Sequence, residues 1–517
     1  DFDTGLALPE ALQDFSERCA LLGLGHVVAD DVVLRPLGVD QVPRAGSTPT
    51  LSRGVRRALE AARRPRSRLA VTFDARGLGE TNSGTQLHIL ELARALADTS
   101  MLRLRILVSD ELGGAVLDDM QSLPDARLLR VGKVDSALSR DAVFCRPQQM
   151  FESKDLRFAL SLGDSLVLTQ MDLIAYRNPA YFPDRETWAA LQLATRRSLA
   201  SADRVAVFSE HTRDELLAEG LVDRSRLSIV SPGLDHQVGA SAVPTLIRGE
   251  DEPFLLCLGA DYLHKNRPFA IALIRELRER HGWPGYLVLA GAHVQHGSSS
   301  AAEQSLLERD VGLSHAVLDL GAVSEAEKAW LMSRAAAVVY PSLYEGFGLV
   351  PFEAAIAGTP CLFAAHSALA EVLPAEQAVI VPWDVSASAD RTIMLLRDPT
   401  ARRNQVESIA ARARRLNWAA TAAAMVELFE QAAVAPIPPA TPLACEELAL
   451  EESLAQLRRR VGYSLSLIGP DGSLPEDLQR GLLALDAHPY LSRALFAGAR
   501  AGRALRHNLR GPSKSER

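Results

Sequence analysis

The stretch YEGFGLVPFEAAIAGTP, residues 344–360, sets two carboxylates around a Gly-Phe-Gly turn. Ahead of it, RAAAVVYPS is a short apolar run closed by Pro-Ser, which predicts a buried strand. Behind it, LVPFEAAIAG carries a proline suited to a first helical turn and a glycine suited to a helix stop. The unit reads as strand, glycine turn, helix, with Glu345 in the turn and Glu353 within the first two helical turns. In an open parallel sheet, ligands bind beyond the carboxyl ends of the strands. The backbone N–H groups of Gly346, Phe347 and Gly348 are therefore expected to face an anion, most naturally a phosphate. Glycine allows the chain to approach a diphosphate closely. A carboxylate cannot ligate phosphate, so Glu345 and Glu353 need hydroxyl partners, and a sugar diol can donate two hydrogen bonds to one carboxylate. Phosphate bracketed by two diol readers describes a nucleotide-sugar.

Outward from this stretch the pattern is an alternation of strands and helices. A first series begins at Leu69 with RLAVTFDARG as strand, GLGETNSG as loop and TQLHILELARALAD as amphipathic helix. Strands are predicted at LRLRILVSD, SLVLTQMD and RVAVFSE, and the series closes at LSIVSPGLD. Residues 236–252 are polar and irregular, and read as a hinge. A second series runs through PFLLCLGAD, GYLVLAGA and AVLDLGAV to the opening stretch, with PCLFAAH and AVIVPW as further strands. Short apolar runs alternating with amphipathic helices are what a parallel sheet covered on both faces requires. The expected fold is α/β, with two doubly wound domains facing a cleft and extensions at both ends. The expected boundaries are an N-terminal extension with an Arg-rich linker over 1–67, an acceptor-side domain over 68–240, and a nucleotide-sugar domain over 253–415. A closing helix over 416–433, a Pro-rich linker over 434–443 and a helical basic tail over 444–517 follow.

Composition narrows the partners. The chain has 517 residues, 47% of them hydrophobic, so two or three domains with ample core are expected. A formal charge of −8 gives no electrostatic case for nucleic acid. Five scattered cysteines without metal-ligand spacing favour a reducing compartment, and the expected location is the cytoplasm. Basic residues do cluster locally: seven Arg with one Glu over 53–68, and seven Lys/Arg with one Glu over 493–517. The tail run LSRALFAGARAGRALRHNLRGPSK could lay an apolar face on an anionic membrane surface, at its inner leaflet.

The opening stretch resembles the Glu, seven residues, Glu signature of retaining glycosyltransferases of family 4, and the resemblance spans about residues 69–433. It implies that Glu345 faces the donor sugar and Glu353 the ribose hydroxyls. LCLGADYLHKN resembles the family's Gly-Arg…Lys segment, which implies that Lys265 holds the diphosphate. The usual arginine position is Ala260 here, and His264 or Arg267 are the candidates to supply the lost charge. DARGLGETNSGTQLHILELARAL resembles the glycine loop of the acceptor-side domain, with Gly84 reaching towards the diphosphate. LGAVSEAEK resembles the strand end whose backbone, around Val323, faces the nucleobase. Where the family often carries His-Asp, this chain has Met171-Asp172, and Asp172 is a candidate for the acceptor side. Ser209–Thr212 and Gly233–Asp235 also match family positions and are expected to be structural. LPEALQDFSERCALLGLGHVVADDVVL faintly resembles the end of a family 2 glycosyltransferase domain, which implies a fused or associated second enzyme. Asp1-Phe2-Asp3 has the form of a metal-binding Asp-x-Asp, but no strand precedes it to place it in a site.

The resulting expectation is a retaining hexosyltransferase acting on a glycan or lipid-linked acceptor, with no metal and no cofactor beyond the nucleotide-sugar substrate. Glu345, Lys265 and Asp172 are its candidate catalytic residues. Gly84, His264, Lys265, Val323, Glu345, Gly346, Phe347, Gly348 and Glu353 are its candidate donor contacts. Two alternatives remain open: a nucleotide-sugar epimerase of the same fold, or a non-catalytic nucleotide-sugar-binding subunit, the latter suggested by Ala260 and Met171.

Overall fold

The computed structural model of the chain describes residues 56–57, 68–79, 83–134, 140–236, 240–247, 249, 252–441 and 444–451. The N-terminal extension, most of the Arg-rich stretch, Asp1–Asp3 and the basic tail lie outside these residues. The chain divides into two compact units, Asp1–Cys445 and Glu446–Arg517. In the second, residues 446–451 are described, and they are helical.

Among the described residues, the first unit holds two parallel sheets. Seven strands form one: β1 (Leu69–Asp74), β2 (Leu102–Val108), β3 (Ala126–Arg130), β4 (Asp141–Arg146), β5 (Gly163–Gln170), β6 (Arg204–Val207) and β7 (Leu227–Ile229). Their order is 3-2-1-4-5-6-7. Five strands form the other: β8 (Phe254–Leu258), β9 (Tyr286–Ala290), β10 (Val317–Asp319), β11 (Ala337–Tyr340) and β12 (Cys361–Phe363). Their order is 10-9-8-11-12. Both sheets are doubly wound, with crossovers running out one way from β1 and β8 and the other way from β4 and β11. Each therefore has a crevice at the carboxyl ends of its central pair of strands, where the winding reverses. The central strands are buried because helices cover both faces, and β1, β4, β5, β8, β9 and β11 are buried along their whole length.

Two expected features differ. AVIVPW is not a strand: Val379 and Ile380 both donate their N–H to the Phe363 carbonyl, and only one bridge, Val381 to Asp384, forms. Conversely, β3 and β4 were not read from the sequence. β4 shows no alternation because it is buried on both faces between β1 and β5.

The helix α1 (Gly84–Ala97) packs on the first sheet together with α5 (Trp418–Val434). The chain thus leaves the second lobe and returns to the first. Its two crossings lie side by side: Leu234 donates to the Leu416 carbonyl at 3.0 Å, and the Trp418 N–H donates to Asp235 Oδ1 at 2.8 Å. A Cβ added at Gly233 would sit 2.4 Å from Trp418 N, so only glycine allows the two strands of the crossing to approach this closely. The expected structural role of Gly233–Asp235 is this crossing.

Candidate active site

The glycine turn lies where β11 ends, at the reversal point of the second sheet. β11 runs into Tyr340, and α4 (Val350–Ile356) begins beyond the turn, with Pro351 in its first turn. Glu345 donates its backbone N–H to Ser367 Oγ at 3.0 Å, which fixes the turn. Gly348 has a φ of 91°, and a Cβ there would meet Leu369 Cδ2 at 2.3 Å, so the residue is held to glycine twice over. A Cβ at Gly346 would lie 2.1 Å from the Met171 carbonyl oxygen. The turn is therefore pressed against the segment that follows β5 in the first lobe.

Lys265 stands at the end of the loop after β8, just before α2 (Arg267–His281). Its Nζ donates to Glu345 Oε1 at 2.7 Å and to Tyr340 Oη at 3.3 Å. Burial pushes the Glu345 carboxyl up, but the Lys265 ammonium together with neighbouring groups such as Ser342 holds it below its ordinary range. Glu345 is buried and ionised, and Lys265 is the cation that keeps it so.

Glu353, on α4, has an arrangement of the same kind that sequence reasoning missed. Lys328 Nζ, on α3 (Glu325–Arg334), donates to Glu353 Oε1 at 2.8 Å. Burial disfavours the Lys328 charge, yet Glu353 more than compensates and raises its pKa. A carboxylate has about four lone-pair sites, so Glu353 keeps acceptor capacity beyond the one Lys328 takes. The signal was within reach. Ser324 and Glu327 form a capping box, which starts α3 and puts Lys328 in its first turn-and-a-half.

The first lobe adds Asp172, half-buried beyond β5 under Gly346. Asp172 Oδ1 accepts the Ile174 N–H at 2.9 Å. Burial pushes its carboxyl up to about 6 against that hydrogen bond, and the Glu345 charge adds to the rise. Met171 offers the cleft a thioether where a histidine would offer an imidazole, and its Sδ accepts the Thr85 hydroxyl at 3.7 Å. It is buried with Phe208, Leu234 and Phe347 in one apolar cluster joining the lobes. The Phe347 ring stacks on Phe352 within that core, which leaves its backbone N–H as the group expected to face a ligand. Gly84 opens α1, capped by Ser83, and a Cβ there would lie 3.9 Å from Leu349 of the glycine turn. Val323 is half-buried beyond β10, against the second lobe's apolar cluster.

Neither candidate restores the cation absent at Ala260. Arg267 is fully buried, and its Nη2 donates to the Gly259 carbonyl at 2.6 Å, tying the ends of β8 and β9. Burial and the adjacent Lys265 lower the His264 pKa to about 4, so its imidazole is neutral at pH 7. The His264 main chain stays close to the glycine turn, its carbonyl accepting the Leu343 N–H at 2.7 Å.

The structure thus joins Lys265 to Glu345, Gly346 to Met171-Asp172 and Gly84 to Leu349, and it adds Lys328 to Glu353. Flanking Tyr181 in the chain, Pro179, Phe182, Pro183, Arg185 and Trp188 line an open cavity of about 590 Å³ on the first lobe. Among the described residues, no group of three His, Cys, Asp or Glu side chains could hold a metal ion. Nor is any helix there long and apolar enough to cross a membrane.

Two doubly wound lobes joined by a double crossing, with lysine-paired carboxylates around a glycine turn at the reversal point of the second sheet, define the GT-B class of fold. Solved structures share it. Sucrose-phosphate synthase from Thermosynechococcus elongatus is 18% identical with a TM-score of 0.55, covering 70% of this chain and 99% of its own. HepE of Anabaena, solved in complex with UDP-glucose, is 16% identical with a TM-score of 0.53, over the same shares of the two chains. Residues 244–413, the second lobe, match the family described as Glycosyl transferases group 1. The D-inositol 3-phosphate glycosyltransferase of Xylanimonas cellulosilytica is 28% identical over 281 residues, which is 52% of this chain and 66% of that protein. The chain thus spans just under two thirds of that relative's length.

Proposed function

We propose that this protein is a retaining glycosyltransferase of the family 4 type, moving a hexose from a nucleotide-sugar to a glycan or lipid-linked acceptor. Cell-surface polysaccharide or glycoconjugate synthesis is the setting that suits such acceptors. One observation carries the reading: both glutamates of the Glu-x7-Glu stretch are lysine-paired carboxylates, Glu345 with Lys265 and Glu353 with Lys328, around a glycine turn at a sheet reversal point. Carboxylates that close to a diphosphate are tolerable only with such cations beside them. In this reading Glu353 accepts from the ribose diol and Glu345 from the donor sugar. Lys265 and the amides of Gly346–Gly348 stabilise the charge that grows on the leaving diphosphate. The anomeric C–O bond to phosphate breaks, the acceptor oxygen bonds to the same carbon from the leaving-group face, and the departing phosphate takes the acceptor proton. Asp172 and the cavity beside Tyr181 lie on the acceptor side.

The matched family, a relative named for glycosyl transfer and a neighbour solved with UDP-glucose support a nucleotide-sugar donor. A non-catalytic nucleotide-sugar-binding subunit is the second reading, favoured by Ala260 and by the apolar packing of Met171. Incubation with radiolabelled nucleotide-sugars, UDP-glucose first, and a panel of glycan and lipid-linked acceptors decides between them. Transfer with retained anomeric configuration is the expected result. An isomerised sugar indicates an epimerase, and binding with no product indicates the subunit.

A further inference from the structure

Tyr181 belongs to the first lobe, yet its hydroxyl hydrogen-bonds His264 of the second. The His264 backbone N–H donates to Tyr181 Oη at 3.1 Å, and the same oxygen lies 2.8 Å from His264 Nδ1. Tyr262 stacks on the imidazole, and the Tyr181 ring fits against Gly297, where a Cβ would meet it at 2.5 Å. A tyrosine from across the cleft is thus wedged between two loops at the carboxyl ends of β8 and β9.

These contacts fix protons as well as positions. The phenol oxygen already accepts the His264 amide hydrogen, and burial pushes the Tyr181 pKa up, so the phenol keeps its proton. Among the described residues, Nδ1 is the one acceptor within hydrogen-bond distance of that O–H. The phenol therefore donates to Nδ1, and a neutral imidazole must carry its own hydrogen on Nε2. The charged groups acting on this ring are Lys265, which disfavours protonation, and Glu345, which favours it less than burial and Lys265 oppose it.

We propose that Tyr181 is a positioning residue that holds His264 as the Nε2–H tautomer, and that this N–H donates to a phosphate oxygen of the nucleotide where Ala260 offers no side chain. The inference rests on the nucleotide-sugar reading of the cleft. It gives the site a neutral hydrogen-bond donor in place of a cation, next to Lys265. It also makes the donor site depend on the first lobe, since the lobe that would hold the acceptor sets the tautomer of a donor-binding residue.

The test is calorimetry with UDP, GDP and ADP on the full chain, comparing parent, Tyr181→Phe, His264→Gln and His264→Ala from pH 4 to pH 8. A glutamine amide can present an N–H near the Nε2 position, so His264→Gln should stay within about 3-fold of the parent while His264→Ala loses about 10-fold. Tyr181→Phe should be about 5-fold weaker at pH 8. That deficit should shrink as the pH falls to 4, because a freed Nδ1 takes up a proton as the pH nears its pKa of about 4 and the ring becomes a cation facing phosphate. Titration of the nucleotide itself is common to all variants and cancels in the ratio to parent. A Tyr181→Phe deficit that is constant with pH, or equal losses in the two His264 variants, overturns the inference while leaving the nucleotide site intact. Failure of the parent to bind any of the three nucleotides removes the site itself, and the inference with it.

Discussion

Lys265 donates to Glu345 at 2.7 Å, and the proposed chemistry asks the same ammonium to face the donor's diphosphate. It can do both because an ammonium has three donors. Asp172 lies under Gly346 of the same turn and titrates the other way. The folded protein binds its proton more tightly than the unfolded chain, with a pKa raised from 3.8 to about 6. Asp172 therefore favours folding most at low pH, and that contribution is lost as the pH rises through this window. Asp172→Asn keeps an oxygen for the Ile174 N–H and should raise stability at pH 8 by about 1–3 kcal/mol, with little change at pH 4. Urea unfolding at the two pH values measures it, and equal effects at both would remove the account of this carboxyl. If the ionised group serves the acceptor, the parent's kcat/KM should also fall below about pH 6, an acid limb missing in the variant. Lys328 and Tyr181 were illegible for a shared reason. Their partners lie 25 and 83 positions away, and no local pattern announces a contact made by folding.

Among elements, the glycine turn was the most legible, because strand, turn and helix each carry a local signal that agrees with its neighbours. The strands β3 and β4 were not. β3 alternates weakly at the sheet edge, and β4 is a fully buried run whose single acid and single arginine are satisfied by tertiary partners. Asp141 Oδ2 accepts the Thr72 hydroxyl at 2.6 Å, and Arg146 pairs with Asp74 at 2.7 Å. The sequence reading also treated the glycines of the two loops alike, whereas the packing separates them. Gly346 abuts backbone of the other lobe, and Gly84 has room for a methyl group. Gly84→Ala should change stability by less than about 0.5 kcal/mol, as a surface substitution does. Gly346→Ala should cost about 1–3 kcal/mol and weaken nucleotide binding, because the turn must move off Met171. Thermal unfolding of both variants checks the contrast, and a harmless Gly346→Ala would mean that the lobes do not meet at this turn.

On the scale of the whole molecule, the alternation of strands and helices made the two-lobed fold readable, since parallel sheets demand it. The contacts between the lobes were not readable. Glu371 of the second lobe accepts the N–H groups of Glu210 and His211 in the first, at 2.6 and 3.0 Å, and nothing in either segment marks the other. The joined lobes supply the proposed reaction with lysine and amide donors for the phosphate charge. Transfer is therefore expected to persist in EDTA, with complete and Mg²⁺-reversible loss as the opposing result. The central claim is that Glu353 reads the ribose and Glu345 the sugar of one nucleotide-sugar, and it is tested most directly by calorimetric titration of Glu353→Gln and Glu345→Gln with the nucleoside diphosphate. Loss of a charge-assisted acceptor, worth about 1.5–3 kcal/mol, should weaken binding to Glu353→Gln by about 10- to 100-fold. Glu345→Gln should bind the diphosphate nearly as the parent does, because the sugar it contacts is absent from that ligand. If both variants bind like the parent, the two carboxylates are ion-paired scaffolding and the cleft has been wrongly assigned.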